Sequence, residues 1–247
     1  MSRYLVIEKK IVKAVDKTTD VIMAVFFILC LLIGFYIAYD SYYVYSKASV
    51  DRLNVYRPMV MEDNSIDTTS LKSLSKDVVG WITIDETSID YPVLQGLTNM
   101  DYINTDPFGD FSLAGSIFLD SGNSKDFSDS YNMIYGHHME HGYMFGSLDE
   151  FKSATYCNEH QTGKIVTTDG EVIRIKLYAV VKGVTTDNII FDVNVGNKDV
   201  EQLVEHIKDN NMYININDTN NKRVFALSTC ADSISQERLI VFFVEDI

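Results

Sequence analysis

Three residue types that could together perform acyl transfer occur in the carboxyl-terminal half of the chain. Cys230 closes an apolar run, and Arg238 opens the next apolar run after a polar gap of seven residues. His137 stands upstream, directly after Gly136 at the end of another apolar run. A thiol can act as nucleophile, an imidazole can carry protons, and a permanently charged guanidinium can stabilise an oxyanion. The residues therefore predict a cysteine-dependent acyl-transfer site.

Other interpretations of these residues are weaker. A lone cysteine in a β-rich chain is more often a buried small side chain than a nucleophile, but Cys230 ends a strand beside hydroxyl residues and a polar loop, which favours reactivity. His137 and His141 have the spacing of a helical zinc pair, yet the His-Glu-x-x-His pattern is absent, so we expect no metal. Papain-like and caspase-like enzymes are disfavoured by residue order and by the residues around the cysteine. A disulfide between Cys157 and Cys230 remains an alternative.

The motifs resemble those of the sortases, cysteine transpeptidases that join secreted proteins to the walls of Gram-positive bacteria. The resemblance covers about residues 71–244, and the sequences Tyr-Gly-His-His at 135–138 and Leu-Ser-Thr-Cys at 227–230 are most similar to class B. It implies that Cys230 attacks a scissile carbonyl to form a thioester, that His137 moves the proton, and that Arg238 serves the oxyanion. An amine then resolves the thioester, and no cofactor is required.

The same resemblance implies a peptide-binding groove and its partners. Class B members usually bind secreted proteins with an Asn-Pro-x-Thr-x sorting signal, and the amine comes from a cell-wall precursor or a pilin lysine. Ile189 stands where the family can have an aromatic residue, and Ala231 where an acidic residue can follow the cysteine. Two alternatives stay open: a peptidase that mainly hydrolyses, and a catalytically silent surface or adhesion module. The positions that match groove residues are Asn99, Ile103, Thr185, Ile189, Ile190, Ser228 and Thr229.

Charge and hydropathy place the chain at a membrane. The net charge of the chain is −14, although residues 1–40 have a small positive excess, and such an acidic body disfavours nucleic acid as a partner. Residues 21–39 carry no charge and are long enough to cross the lipid bilayer as a helix. Five basic residues precede this stretch, which favours a cytoplasmic amino terminus and an extracytoplasmic catalytic domain. We therefore expect a single-pass protein of the cell membrane.

The elements that must position the site are mostly short strands. Apolar residues alternate in about eight segments between residues 81 and 244, while residues 199–208 have the spacing of one amphipathic helix. This pattern predicts a mostly β fold with α (α+β), a closed eight-stranded sortase-like β-barrel. Amino-terminal helices over 41–60 and 71–79, the second stopped by Gly80, and one helix before the penultimate strand complete it. The predicted domains are a cytoplasmic segment (1–20), an anchor (21–39), a helical stalk (40–70) and the catalytic barrel (71–247).

Overall fold

Eleven β-strands lie in the part of the chain that the computed structural model describes, which is residues 2–215, 219, 221–229 and 237–246. Most of these segments are rich in β-branched and aromatic residues, which suit a pleated and partly buried surface. In chain order the strands are β1 Met59–Val60, β2 Ile66–Asp67, β3 Val78–Ile84, β4 Asp90–Leu94, β5 Ile117–Leu119, β6 Tyr131–Gly136, β7 Thr162–Thr167, β8 Val172–Val184, β9 Asn211–Ile214, β10 Val224–Thr229 and β11 Glu237–Glu245.

Eight of these strands close into a barrel, which confirms the predicted fold class. The order is β11-β10-β6-β5-β4-β3-β7-β8, and pairing of β11 with β8 joins the two ends. The pairs β4–β5 and β6–β10 are parallel, whereas the other neighbours around the barrel are antiparallel. Strand β9 is added to the outside edge of β8, and β1 and β2 form a separate two-stranded ladder.

Alternating side chains give the barrel two apolar layers. Ile134 of β6 and Leu227 of β10 belong to the interior core, together with Trp81 and Phe243. Met133 of β6, like Ala226 of β10, belongs instead to an outer cluster that short helices cover. These helices are α4 Asn188–Phe191, α5 Val193–Lys198 and α6 Val200–Asn210. Neighbouring positions on β6 and β10 therefore face opposite layers, as the period of two predicts.

The helix before the penultimate strand is confirmed. Helix α6 has its buried residues Leu203, Val204 and Ile207 on one face, and the side chain of Asp199 caps its amino terminus. It is the longest of three short helices between β8 and β9 rather than a single element. Two further helices are α2 Thr69–Leu74 and α3 Ala154–Glu159, and 3₁₀ helices occupy Val50–Arg52, Asn54–Tyr56, Glu140–Gly142 and Gly146–Lys152.

Both predicted amino-terminal helices are wrong in extent. The helix expected over 71–79 ends at Leu74, because Val78 and Val79 already belong to β3 and Gly80 lies inside that strand. An added side chain at Gly80 would meet the backbone oxygen of Val166, so glycine is required there by close strand packing. The helix expected over 41–60 ends at Ala48, and two 3₁₀ turns and β1 follow it.

The chain forms two compact units, Met1–Ser46 and Lys47–Ile247. Helix α1, Ser2–Ala48, contains the uncharged stretch 21–39, and its length and composition are sufficient for a membrane crossing. The four-part division into segment, anchor, stalk and barrel stays a prediction. Within 40–70, the segment predicted as a helical stalk, residues 59–67 contain the β1–β2 ladder instead of helix.

Candidate active site

Parallel pairing of β6 and β10 brings two of the predicted catalytic segments to the same edge of the barrel. The register pairs Ser228 with Tyr135 and Thr229 with Gly136, at the carboxyl end of both strands. The next residues in the chain are Cys230 and His137. Cys230 itself lies outside the described residues, so its predicted role stays a prediction. The register nevertheless shows that β6 and β10 end side by side, at Gly136 and Thr229, which are the described residues immediately before His137 and Cys230.

His137 is half-buried and is fixed by a backbone group. Its Nε2 atom lies 2.6 Å from the carbonyl oxygen of Ile103, in the long loop between β4 and β5. A carbonyl oxygen can only accept a hydrogen bond, so this contact requires the hydrogen on Nε2. Nδ1 is then the ring atom that can accept a proton. The preceding Gly136 has no room for a side chain, because a Cβ atom there would clash with Ile117 and Phe145.

His138 makes different contacts from those of His137. It is exposed, and its Nε2 atom lies 3.1 Å from Oδ2 of Asp149, which Lys152 also contacts at 2.8 Å. Partial burial alone would raise the pKa of Asp149, but the hydrogen bonds from Lys152 and His138 outweigh it and hold this pKa below its usual range. The two adjacent histidines are thus held by different partners, a loop carbonyl and a surface carboxylate.

Arg238 is the second residue of β11 and is buried, with 5% of the residue exposed. Its backbone pairs with Gly183 of β8, and its Nη1 atom donates to the carbonyl oxygen of Glu237 at 2.7 Å. Arg238, His137 and Thr229 line one cavity of about 500 Å³, to which His138 and Asp149 also contribute. The structure therefore gathers two of the three predicted catalytic side chains, and the residue before the third, around one cavity.

The predicted groove residues differ in accessibility. The Asn99 side chain donates to Oδ2 of Asp120 and accepts from the Ser121 amide, both at 2.7 Å, which fixes the amide group. Ile103 is half-buried and supplies the carbonyl that holds His137. Ile190 and Ser228 are fully buried. Thr185, Ile189 and Thr229 are half-buried, and of these Thr229 lines the cavity with His137.

Asp187 caps the amino terminus of helix α4, which carries two of the predicted groove residues, and also contacts helix α6. Asp187 accepts a hydrogen bond from the Ile189 amide, and its Oδ2 atom lies 2.7 Å from Nε2 of His206 on α6. This pair ties the short helix that carries Ile189 and Ile190 to the longest helix of the outer layer. The sequence pattern did not predict it, because the two partners are 19 positions apart and belong to separate elements.

A helical zinc pair is not formed by His137 and His141. The backbone of His138 bridges that of Met144, and His141 lies in a short 3₁₀ turn with φ of 60°. The α-helix that would place both imidazoles on one face is therefore replaced by a tight loop. Within the described part of the chain, no three His, Cys, Asp or Glu side chains gather in a metal-binding arrangement.

Cys157 is the buried residue of α3 and is not presented to solvent. Its thiol donates to the carbonyl oxygen of Phe151 at 3.1 Å, and burial raises its pKa to about 11. A thiol with so high a pKa is poorly nucleophilic at neutral pH. These properties distinguish it from a catalytic cysteine.

With this geometry in place, comparisons with known proteins identify the family. The sortase domain model matches residues 82–245, so the chain belongs to the sortase family. The chain is 33% identical to sortase B of Staphylococcus aureus (strain NCTC 8325 / PS 47) over 177 residues, which cover 70% of this chain and 71% of that protein. It is thus a sortase of class B, a cysteine transpeptidase.

Solved structures agree with this assignment. A class B sortase of Streptococcus pyogenes, described as involved in pilus biogenesis, is 35% identical with a TM-score of 0.63, covering 71% of this chain and 96% of that one. The Staphylococcus aureus sortase B–substrate complex is 30% identical with a TM-score of 0.65, covering 72% of this chain and 83% of that one.

Proposed function

We propose that this sortase cleaves a carboxyl-terminal sorting signal of the Asn-Pro-x-Thr-x type in a secreted protein and transfers the acyl group to an amine. The parallel register of β6 and β10 is the main support, because it ends at the residues that immediately precede His137 and Cys230. The substrate complex of the staphylococcal relative supports a peptide signal. The uncharged stretch 21–39 within α1 supports a membrane anchor with the catalytic domain outside the cell.

In the first half-reaction, the Cys230 thiol gives its proton to Nδ1 of His137, and the resulting thiolate attacks the scissile carbonyl carbon to form a tetrahedral oxyanion. Arg238 is proposed to stabilise this oxyanion, because its guanidinium is buried beside the cavity and keeps its charge at all relevant pH values. The carbon–nitrogen bond then breaks. The leaving amine takes a proton from His137, and the acyl group remains on sulfur as a thioester.

In the second half-reaction, an acceptor amine attacks the thioester carbonyl. His137, now deprotonated, accepts the proton from the attacking nitrogen, and the thiolate leaves as the new amide forms. We propose a cell-wall precursor as the source of the amine. The pilus-associated relative from Streptococcus pyogenes gives specific support to a second candidate, a pilin lysine.

The test is intact-mass analysis of the purified full-length protein with Asn-Pro-x-Thr-x peptides, with and without triglycine as a simple amine. We expect an acyl adduct on the protein and, with triglycine, a ligated peptide. Cys230→Ala should abolish both, whereas the matched Cys157→Ala variant should keep most activity. Loss of a nucleophile typically costs about 4 kcal/mol or more in the barrier.

Other outcomes of this experiment identify the competing functions. Release of hydrolysed peptide with no ligated product, whatever the amine, would indicate a peptidase that mainly hydrolyses. If no adduct forms with any peptide, the silent surface module becomes the better account. If Cys157→Ala is as inactive as Cys230→Ala, a disulfide or a different site must be considered.

A further inference from the structure

Lys47 forms a buried ion pair that links the end of α1 to the loop between β4 and β5. Its Nζ atom lies 2.8 Å from Oδ2 of Asp106, which is 59 positions away in the sequence, and 3.3 Å from Oδ2 of Asp110. The side chains of Lys47 and Asp106 are only 9% and 1% exposed. Both residues belong to the carboxyl-terminal unit, and Lys47 stands eight residues after the predicted span.

Asp106 organises the loop around this contact. Its Oδ1 atom accepts hydrogen bonds from the amides of Phe108 and Asp110, both at 3.0 Å, and its own amide donates to the Asp110 carbonyl at 2.8 Å. Arg52, whose guanidinium lies over the Phe108 ring, approaches the carboxylate only to 3.9 Å and is more exposed. Among the described residues Lys47 is therefore the closest cation to this buried carboxylate, and without it Asp106 keeps only the longer and more exposed contact with Arg52.

Asp106 lies only three residues along the loop from Ile103, the residue whose carbonyl oxygen holds His137. Ile103, whose carbonyl accepts from His137, precedes Asp106, and the segment between them is braced by Ser116. The Ser116 hydroxyl donates to the Thr105 carbonyl at 2.7 Å, and its amide donates to the Tyr102 carbonyl at 3.0 Å. Gly115 presses against the Ile103 carbonyl so closely that a side chain there would clash with it. A shift at Asp106 must therefore move the Ile103 carbonyl or break these bonds.

We propose that Lys47 is a positioning residue for His137, acting through Asp106 and the Ile103 carbonyl. The inference rests on the proposed catalytic role of His137. When the ion pair holds the loop in place, the Ile103 carbonyl keeps the hydrogen of His137 on Nε2 and leaves Nδ1 to exchange protons. When the pair is lost, the carbonyl is displaced and the imidazole samples both tautomers, only one of which supports the reaction.

The experiment uses the full-length protein in detergent micelles, with histidine labelled with ¹⁵N. Ring nitrogen shifts report the tautomer of His137, assigned by comparison with a His137→Gln spectrum, and kcat and KM are measured with a sorting-signal peptide. The variants are Lys47→Met, which removes the charge, Lys47→Arg, which keeps it, and Lys72→Met as a matched control. Lys72 is an exposed lysine that lies 3.4 Å from the exposed Asp169.

We expect wild type, Lys47→Arg and Lys72→Met to show His137 with its hydrogen on Nε2 and to have kcat values within about twofold of one another. Lys47→Met should show a mixture of tautomers, with kcat reduced about 10-fold to 100-fold and a smaller change in KM, because misplaced catalytic groups cost orders of magnitude in rate. A folded Lys47→Met protein with the wild-type spectrum and kcat would overturn the proposal.

If Lys47→Met does not fold, the double variant Lys47→Met with Asp106→Asn removes both charges and leaves no carboxylate buried alone. We expect it to fold and to show mixed tautomers, and a wild-type His137 spectrum in this variant would overturn the proposal. The tautomer measurement needs no substrate. It therefore decides the role of Lys47 even if the wild-type protein turns over no sorting-signal peptide, an outcome that would count against the proposed function alone.

Discussion

The adjacent residues His137 and His138 illustrate how one position in the chain separates a proposed catalytic group from a surface group. Both line the cavity beside Arg238, so proximity alone does not distinguish them. Their partners do: the Ile103 carbonyl fixes which nitrogen of His137 carries hydrogen, whereas His138 contacts the exposed Asp149–Lys152 pair. A proton carrier needs a defined tautomer, and His137 has one.

We therefore predict that His137→Ala abolishes turnover of a sorting-signal peptide, whereas His138→Ala keeps a substantial fraction. Loss of a general acid–base group typically costs about 10²-fold to 10⁴-fold in rate, while an exposed pair contributes little. Steady-state kinetics give the rates, and circular dichroism should show both variants folded. An inactive His138→Ala with an active His137→Ala would move the catalytic assignment one residue along the chain.

At the residue scale, the sequence predicts side-chain chemistry better than backbone chemistry. A cysteine, a histidine and an arginine in order are visible in the sequence because their functional groups are unique to those residue types. The carbonyl of Ile103 is not, because every residue has one and only the fold decides which carbonyl reaches an imidazole. The contact of Lys47 with Asp106 was equally unpredictable, because the sequence of neither segment indicates which distant residue it will contact.

At the element scale, strands with clear alternation were predicted closely, and ambiguous segments were not. The residues Asp169 and Gly170 are typical of a tight hairpin turn, and Gly170 has a positive φ of 87° between β7 and β8. Gly80 was interpreted as a helix stop, but its function is close packing inside β3. The four-residue strand β9 was missed, because it is short and lies at the sheet edge.

The ends of two strands are held together by Arg223, immediately before β10. Its Nε and Nη2 atoms lie 2.9 and 2.7 Å from the carboxylate oxygens of Glu245 at the end of β11, and Nη2 lies 2.9 Å from Glu171. The hydrogen bond to Arg223 holds the pKa of Glu245 below its usual value and raises the pKa of Arg223. Such two-point pairing is among the stronger charge-assisted contacts.

We predict that Arg223→Met lowers the free energy of unfolding at pH 7 by about 1–3 kcal/mol, the usual range for hydrogen bonds to charged groups. Because the folded-state pKa of Glu245 lies below its unfolded value, the pair stabilises the fold above the unfolded pKa of a glutamate and loses this effect as the pH falls through the folded value. Urea unfolding from pH 7 to pH 3 should therefore show the difference between wild type and variant shrinking.

Arg174→Met is the matched control, because Arg174 is an exposed arginine on β8 for which the structure shows no ion pair with any described residue. It should change the free energy of unfolding by less than about 0.5 kcal/mol. A difference for Arg223→Met that stays constant down to pH 3 would mean that packing of the arginine side chain, and not its charge pairing, stabilises the strand ends.

At the scale of the whole molecule, barrel closure explains why the site could be predicted only in outline. The order β3-β4-β5-β6-β10-β11-β8-β7 brings together segments nearly a hundred residues apart, and both parallel pairs join strands that are separated by loops or further elements. Periodicity gives the number of strands but not their order, since each strand presents the same alternating pattern. The family resemblance predicted the closed eight-stranded barrel, whereas the order of its strands comes from the structure.

The last prediction concerns the orientation of the chain in a membrane. Residues 1–20 carry five basic groups, whereas the twenty residues after the span carry only Lys47, Arg52 and Arg57 close to its outer end. The excess of basic residues on the amino-terminal side favours its retention in the cytoplasm.

In cells stripped of their wall, an external protease should therefore remove a tag placed after Ile247, while a tag placed before Met1 stays protected. Replacing Lys9, Lys10, Lys13 and Lys17 by glutamine removes this excess and should yield a mixed population. Replacing Asp16 and Asp20 by asparagine removes only negative charges, keeps every basic residue, and should therefore leave the orientation unchanged. Protection of the carboxyl-terminal tag in the unmodified protein would place the catalytic domain in the cytoplasm and contradict the proposed action on secreted proteins.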